Sequence, residues 1–487
     1  HNFWISLFSF AYGLRTHPNT KPLAKRGSTV LIYSPNLLAW PVVLLGCSEL
    51  VITTEDGIKT IREMFAKLGI TKEEGDKRII VIGRGLQWAG GPSAKPSAEA
   101  AGLLTMEALL NGGKLKEEEN FDGPLIHETA FICYSSGTTG SPSELSMFED
   151  VMLAILPFYH IYGAFKPTRP LPVINGLTVA IQTRFEPDAF CANIERYKVT
   201  HSLIVPPVLV ALARHPAADK YKMTTLRYLC SGAAPLGKDL VSQVNNRLRK
   251  HGVRCDIVQG YGLTETSPTT HLLPHTEAER MMGSIGYLMP NLEARLVVDD
   301  DGKVDAEEGG AGELWIRGPS VMKGYLNNPT ATANAITPDK WFRTGDVGQV
   351  DKEGFWYIVD RRKELIKYKP KWIVPPAELE SILLGHPDIA DCAVIGIDDP
   401  EQATELPRAY VVTAHPEKLT IAKDKAIFEQ SVVKWMQSKV ARHKYLRGGV
   451  RVIDIIPKSA AGKILRRELR DLAKNEKAGG QQLRTKL

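Results

Sequence analysis

The chain has 487 residues, 43% hydrophobic and 24% charged, a composition that excludes disorder and collagen-like repeats and suffices for roughly two to four domains. Lys and Arg (61) exceed Asp and Glu (55), but residues 442–487 alone hold 13 basic and 4 acidic side chains, so the rest of the chain is slightly acidic. That argues against a nucleic-acid-binding body and leaves room for an anionic ligand near the C-terminal end.

Short apolar runs rich in β-formers alternate with helical patterns along most of the length, the signature of α/β layering. Thr29–Tyr33, Arg78–Ile82, Ala130–Tyr134, Val151–Leu156, Leu177–Gln182, Ser202–Val205 and Leu226–Cys230 read as strands, and Asp188–Lys198, Val208–His215 and Lys238–Leu248 carry apolar residues at helical spacing. From about Leu292 the rhythm changes to strands punctuated by Asp-Gly and Glu-Gly turns (LEARLVVDDDGK, GELWIRG, GFWYIVD), which predicts a compact β portion over 292–360. A charged run, RRKELIK, follows Asp360. A second α/β rhythm then predicts helices at Pro376–Leu384 and Ile427–Val440, with strands at Asp391–Ile397, Arg408–Thr413 and Val450–Ile456. A boundary at Asp360–Lys363 divides the chain into a large domain, 1–360, and a small one, 361–487.

Six cysteines (Cys47, Cys133, Cys191, Cys230, Cys255, Cys392) are scattered without a CxxC pair and read as buried thiols in a reducing compartment. The longest uncharged stretches, Val151–Phe165 and Thr200–Ala213, fall short of the roughly 18 to 20 residues that span a bilayer, so no integral membrane association is expected. The opening HNFWISLFSF lacks the basic start of a signal peptide, and the closing Thr485-Lys486-Leu487 is one residue from the peroxisomal Ser-Lys-Leu address. A cytoplasmic or peroxisomal location is expected.

Three motifs carry chemistry. SSGTTG (Ser135–Gly140) follows the apolar strand FICY, where hydroxyls and exposed backbone N–H groups can wrap phosphate oxygens; by itself it also reads as a flexible turn. QGYGLTET (Gln259–Thr266) sets an aromatic, two glycines, a hydroxyl and a carboxylate in close order, enough to stack a base, approach a phosphate and hold a hard cation through Glu265, or simply to make a tight turn with a helix cap. PKSAAGKILRREL (Pro457–Leu469) puts Lys463 on a loop before a basic helix, either as a mobile charge for a reacting phosphate or carboxylate or as an exposed side chain.

These three stand in one series with PFYHIYG (Pro157–Gly163), SGAAPLG (Ser231–Gly237), GELWIRG, WFRTGD (Trp341–Asp346), VDRRKELIK (Val359–Lys367) and VPPAELE (Val374–Glu380). The series resembles the acyl-adenylate-forming enzymes, and among them most closely the 4-coumarate–CoA ligases and their acyl-CoA synthetase and luciferase relatives. The resemblance runs from about Thr29 to Leu469. It implies an α/β fold with a large N-terminal domain of two α/β sheet subdomains plus a small β-barrel-like subdomain, and a small α+β C-terminal domain on a hinge. It also implies ATP, Mg²⁺ and coenzyme A as cofactors, with a small carboxylic acid as substrate and no nucleic acid partner.

By the same resemblance Ser135, Ser136, Gly137, Thr138, Thr139 and Gly140 close over the β- and γ-phosphates, Thr264 touches the α-phosphate and Glu265 holds Mg²⁺. Asp346 and Arg361 match ribose-binding positions, and Gly232, Ala233, Ala234, Gln259, Gly260, Tyr261 and Gly262 line the nucleotide side, with Ala233 and Gly262 also facing the acyl group. His160 and Tyr162 match an aromatic gate and acyl contact, His160 having a buried core histidine as its second reading. Lys463 matches the lysine that steadies the carboxylate and α-phosphate, and Lys363 the hinge about which the small domain turns.

The pattern is broken in three places. Ser143 stands where the family has lysine, and the join from Gly140 to Phe158 is short; a second short join runs from Cys47 to Val51. Pro370 replaces a glycine, and proline is locked near φ of about −65° and cannot supply positive φ. The leading reading is an ATP-dependent carboxylate–CoA ligase for an aromatic or medium-chain acid. The alternatives are a catalytically impaired nucleotide-binding relative, a luciferase-like oxygenase and a fatty acyl-CoA synthetase.

Overall fold

A computed structural model describes residues 3–22, 31–33, 50–82, 97–111, 150–165, 177–369, 372–399, 402, 404–458 and 463–484. The first sheet is wholly parallel, in the order β1 (Leu31–Tyr33), β2 (Val51–Thr53), β3 (Ile79–Val81), β4 (Leu104–Thr105). Helices α1 (Phe3–Thr16), α2 (Ile58–Lys67), α3 (Lys72–Asp76) and α4 (Met106–Leu110) accompany it. α2 turns Ile58, Ile61 and Phe65 inward at helical spacing, onto buried Val51, Ile79 and Val81.

The second sheet has seven strands: β5 (Val151–Ala154), β6 (Thr178–Ile181), β7 (His201–Ile204), β8 (Tyr228–Ser231), β9 (Asp256–Gly262), β10 (Thr269–Leu272) and β11 (Tyr287–Leu288), ordered β11-β10-β9-β8-β7-β5-β6. Five run parallel, β6 to β9 through β5. Covered on both faces, β7 and β8 are buried at every residue, which is why they read as continuous runs rather than as alternation. Helices α5 (Ile161–Phe165), α6 (Pro187–Tyr197), α7 (Pro206–Arg214), α8 (Ala217–Lys220) and α9 (Lys238–Lys250) connect them. α9 buries Leu240, Val241, Val244 and Leu248 in one core with Leu153, Ile204, Leu229 and Val258.

The switch to turn-linked strands at Leu292 is realised as an antiparallel meander, β12 (Glu293–Val297), β13 (Gly312–Arg317), β14 (Phe342–Val350) and β15 (Trp356–Arg361), with α10 (Pro329–Ala335) between β13 and β14. The expected barrel-like closure is not seen among the described residues: β12 and β15 are the outer strands of this sheet, and β15 continues only through a single bridge from Trp356 to Gly286. A turn at Arg362–Glu364 leads into the hairpin β16 (Ile366–Tyr368) and β17 (Trp372–Val374). The C-terminal part then packs α11 (Pro376–Leu384), α12 (Ala422–Gln437) and α13 (Arg466–Arg484) around β18 (Ile389–Asp399), β19 (Thr404–Thr413) and β20 (Val450–Val452). α12 starts five residues before the predicted Ile427, because a solvent-facing first turn carries no apolar period to read.

Pro370 lies outside the described residues, as do the strand expected at Ala130–Tyr134, SSGTTG and Cys47. Lys369, directly after β16, is in the left-handed conformation at φ 57°, where a non-glycine residue costs about 1–2 kcal/mol. Cys191, Cys230, Cys255 and Cys392 are buried and in no disulfide, as expected of buried thiols. No helix among the described residues is long and apolar enough to cross a membrane.

One buried ion pair organises the C-terminal part. Arg466 Nη2 donates to both oxygens of Glu380 at 2.7 and 2.8 Å, and Glu380 Oε1 also accepts from the Val394 N–H at 2.7 Å. Removing one member leaves the other charge uncompensated. Arg466→Met is therefore expected to cost the C-terminal domain about 3–5 kcal/mol, read as an earlier urea transition of that domain; a loss below about 1 kcal/mol, the scale of an exposed pair, contradicts the assignment.

Candidate active site

A cavity of about 280 Å³ opens between the carboxyl ends of the central strands and the C-terminal domain, the position where open α/β sheets bind ligands. Its large-domain wall comes from Ala233–Leu236, Gln259–Tyr261 and Ile358; its opposite wall from Ser381, Leu384, Lys463 and Ile464; Asp346 and Arg361 lie between.

The Ser231–Gly237 segment leaves β8 through Ala233 at φ 70°, a left-handed conformation that a small side chain tolerates best. Gln259 fixes this segment from β9: its Oε1 accepts from the Leu236 N–H at 3.1 Å, and its Nε2 donates to Ser284 O at 3.5 Å. Gln259 thus builds the wall it lines. Gly262 allows close passage, since a Cβ there would fall 2.0 Å from Pro268 O.

Asp346 is 2% exposed. It pairs with Arg361 across β14 and β15, and Arg361 Nε donates to its Oδ1 at 3.2 Å while the Tyr261 hydroxyl donates to its Oδ2 at 2.6 Å. Burial pushes the Asp346 carboxyl up, opposed by Arg361 and Tyr261. Lys463 enters from the C-terminal domain on a loop closed by the Lys458–Ile464 bridge and the Leu465 N–H bond to Pro457 O. Lys458 Nζ anchors that loop on both Asp391 oxygens at 2.7 Å. Burial lowers the Lys463 ammonium to about 8; Arg361 pushes the same way, while Asp346 and Glu364 oppose it.

Thr264 and Glu265 lie on the 3₁₀ turn after β9 rather than on the cavity wall. Thr266 secures this turn by accepting from the Leu263 N–H at 2.8 Å and donating to Pro268 O at 2.6 Å. Glu265 is 9% exposed and its Oε1 accepts from the Tyr325 hydroxyl at 3.0 Å. Among the described residues no cluster of three or more His, Cys, Asp or Glu side chains can hold a metal. A single, oriented carboxylate fits Mg²⁺, which takes one or two protein oxygens and completes its shell with phosphate oxygens and water.

His160 and Tyr162 are buried away from the cavity wall. His160 Nδ1 accepts from the Tyr162 N–H at 3.2 Å, so the ring proton is on Nε2, which is buried and has no hydrogen-bond partner among the described residues. Burial lowers its pKa and keeps it neutral. The Tyr162 hydroxyl donates to Cys230 O at 2.8 Å, a bond that ties α5 to the end of β8. Gly232 donates its N–H to Ile204 O. Lys363 is exposed on the turn between β15 and β16. Ser135–Gly140 lie outside the described residues.

Sequence reasoning left Tyr325, Lys458, Asp391, Ser381 and Glu380 without roles. Glu380 and Lys458 stood in quoted motifs, VPPAELE and PKSAAGKILRREL, without a role of their own; Tyr325, Asp391 and Ser381 stood in none and meet partners far away in the chain.

A sequence profile of the AMP-binding enzyme family matches residues 23–326, and one of the AMP-binding enzyme C-terminal domain matches 378–463. The chain is 40% identical over 365 residues to a probable 4-coumarate–CoA ligase 1 of Dictyostelium discoideum, a match covering 71% of this chain and 63% of that protein. It is 34% identical over 510 residues to a 4-coumarate–CoA ligase-like 4 of Oryza sativa subsp. japonica, covering 96% and 87%. Among solved structures it resembles O-succinylbenzoate coenzyme A synthetase from Bacillus subtilis in complex with ATP and magnesium ion, with a TM-score of 0.68, 25% identity, and 96% and 93% of the two chains covered. The chain belongs to the AMP-binding enzyme family.

Proposed function

We propose that the protein is an ATP-dependent acid–thiol ligase of the 4-coumarate–CoA ligase type, acting on an aromatic or medium-chain carboxylic acid. The observation that carries this reading is the convergence of Lys463 with Asp346 and Arg361 in one cavity. In the first step a carboxylate oxygen of the acid forms a bond to the α-phosphorus of ATP and the bond to pyrophosphate breaks, giving an acyl-adenylate. In the second step the thiol of coenzyme A loses its proton, its sulfur bonds to the acyl carbon, and AMP leaves.

The chain's own residues divide the work. The Asp346 carboxylate accepts from the ribose hydroxyls, held in place by Tyr261 and Arg361. Charged Lys463 bridges the incoming carboxylate and the α-phosphate, where two anions repel each other, and acts as a point charge in a partly desolvated site. The Ser135–Gly140 motif is assigned to the outer phosphates, while His160, buried away from the cavity wall, is given no step. Magnesium held through Glu265 would neutralise the charge of the departing pyrophosphate. The large part, 1–360, supplies the nucleotide walls, and the small part, 361–487, supplies Lys463 and turns at Lys363.

Acid-dependent exchange of label between pyrophosphate and ATP tests the reading over a panel of aromatic and medium-chain acids. Lys463→Ala is expected to lower exchange by roughly 10²-fold or more; folded protein that binds ATP but exchanges with no acid contradicts the proposal in favour of a non-catalytic nucleotide-binding relative. The pH profile gives a second test. Lys463 acts when protonated, so kcat/KM for exchange should fall as pH rises through about 8. Lys463→Arg, whose guanidinium keeps its proton, should retain less activity but lose that falling limb. A limb that persists in the variant assigns it to another group.

A further inference from the structure

Helix α11 has no side-chain cap of its own at its N-terminus, and the large domain contributes a partner at each end. It begins Pro375-Pro376, so neither residue carries an N–H and no side chain at the N-cap accepts a bond. The first available donor, the Ala377 N–H, goes to Asp360 Oδ2 on β15 at 2.8 Å. At the other end Gly385 is not in the left-handed conformation that closes many helices. The Gly385 and His386 N–H groups fold back onto Ile382 O and Leu383 O, and Leu384 O accepts instead from Arg214 Nη2, which also reaches His386 O at 3.4 Å. A carboxylate at the N-terminus and a guanidinium at the C-terminus both suit the helix dipole.

Between the two ends α11 touches the nucleotide wall itself. A Cβ on Gly237, the last residue of SGAAPLG, would fall 1.6 Å from Ser381 Oγ. The same helix carries Glu380, whose partner Arg466 lies three residues beyond Lys463. A continuous chain of contacts thus runs from α7 and the SGAAPLG segment, through α11 and the Glu380–Arg466 pair, to the base of the Lys463 loop.

We propose that Arg214 is a positioning residue for Lys463: by capping the C-terminal end of α11 it holds the C-terminal domain where Lys463 faces Asp346, and it serves the carboxylate-activating step but not the thioester-forming step. The reason for the split is geometric. Lys463 and Ile464 close one side of the cavity, and the second step needs neither a charge between two anions nor the Arg214 contact. Arg214 makes no contact with the cavity and lies at the far end of a helix whose near face lines it, which sets it apart from Lys463 in the chemistry. This inference rests on the ligase reading above.

The test measures the two steps separately. Arg214→Ala should lower kcat of acid-dependent pyrophosphate exchange by roughly 10- to 100-fold, the scale of a misplaced catalytic group, with little change in KM for ATP. Thioester formation from a supplied acyl-adenylate should stay within about 2-fold of the parent enzyme. Arg214→Lys, which keeps a cationic donor, should recover most of the exchange. Gly237→Ala should reproduce the defect by wedging α11 away, and Gly237→Ala combined with Ser381→Gly should relieve it, a rescue that general misfolding does not produce.

Backbone hydrogen exchange provides a readout that needs no activity. Pro206–Arg214 and Pro376–Leu384 should exchange faster in Arg214→Ala and return to parent rates in Arg214→Lys. If the parent enzyme activates no acid, the ligase reading fails while this measurement still judges the latch. Equal loss in both steps, unimpaired pyrophosphate exchange, or unaltered hydrogen exchange in the two helices overturns the proposal.

Discussion

The site is organised around a carboxylate that the fold has taken out of water. Asp346 is almost fully buried, and a buried charge is costly unless it is paired and hydrogen-bonded. Its two satisfying partners come from different strands, Tyr261 on β9 and Arg361 on β15, so the central sheet and the β meander must meet for Asp346 to be held. Arg361 also ends the last strand before the turn that carries Lys363. Through Arg361 the acceptor proposed for the ribose is therefore tied to the strand that leads into that turn.

A second cation in the same space follows a different logic. Lys463 shares the cavity with Arg361, and the lowered pKa of its ammonium records both the lost water and the like charge nearby. On either side of Lys463 the chain is anchored outside the cavity centre, Lys458 on Asp391 and Arg466 on Glu380, and Glu380 lies on α11. The cavity thus takes one wall from Ala233–Leu236 and Gln259–Tyr261 and its lysine from the C-terminal part, so in the proposed reading binding and activation are drawn from different parts of the chain.

The layering was legible because buried parallel strands announce themselves as apolar runs. Tyr228–Ser231 and His201–Ile204 fell within one or two residues of their expected places, and Pro376–Leu384 matched at both ends. Ala233, Ala234, Gln259, Gly260, Tyr261, Asp346, Arg361 and Lys463 were read from motifs and lie on one cavity. Roles set by long-range partners were not legible. Tyr162 read as a substrate contact, yet its hydroxyl is spent on the backbone at the end of β8. Tyr325 had no motif value at all, yet it orients Glu265 across 60 residues. Pro370, read as a lost positive-φ position, lies outside the described residues, and the left-handed conformation of Lys369 before it was announced by no residue preference.

The central claim is that buried Asp346 and incoming Lys463 grip the same adenylate from two domains. Calorimetric binding of a stable sulfamoyl mimic of the acyl-adenylate to the parent protein, Asp346→Asn and Lys463→Ala tests it most directly, because a mimic of the reacting state should bind far more tightly than either substrate. The account predicts that each substitution weakens binding by roughly 10-fold or more, and that the double variant loses less than the two single losses combined, as expected for groups that share one cavity and one ligand. Unchanged affinity in both single variants, or strictly additive losses, would contradict it.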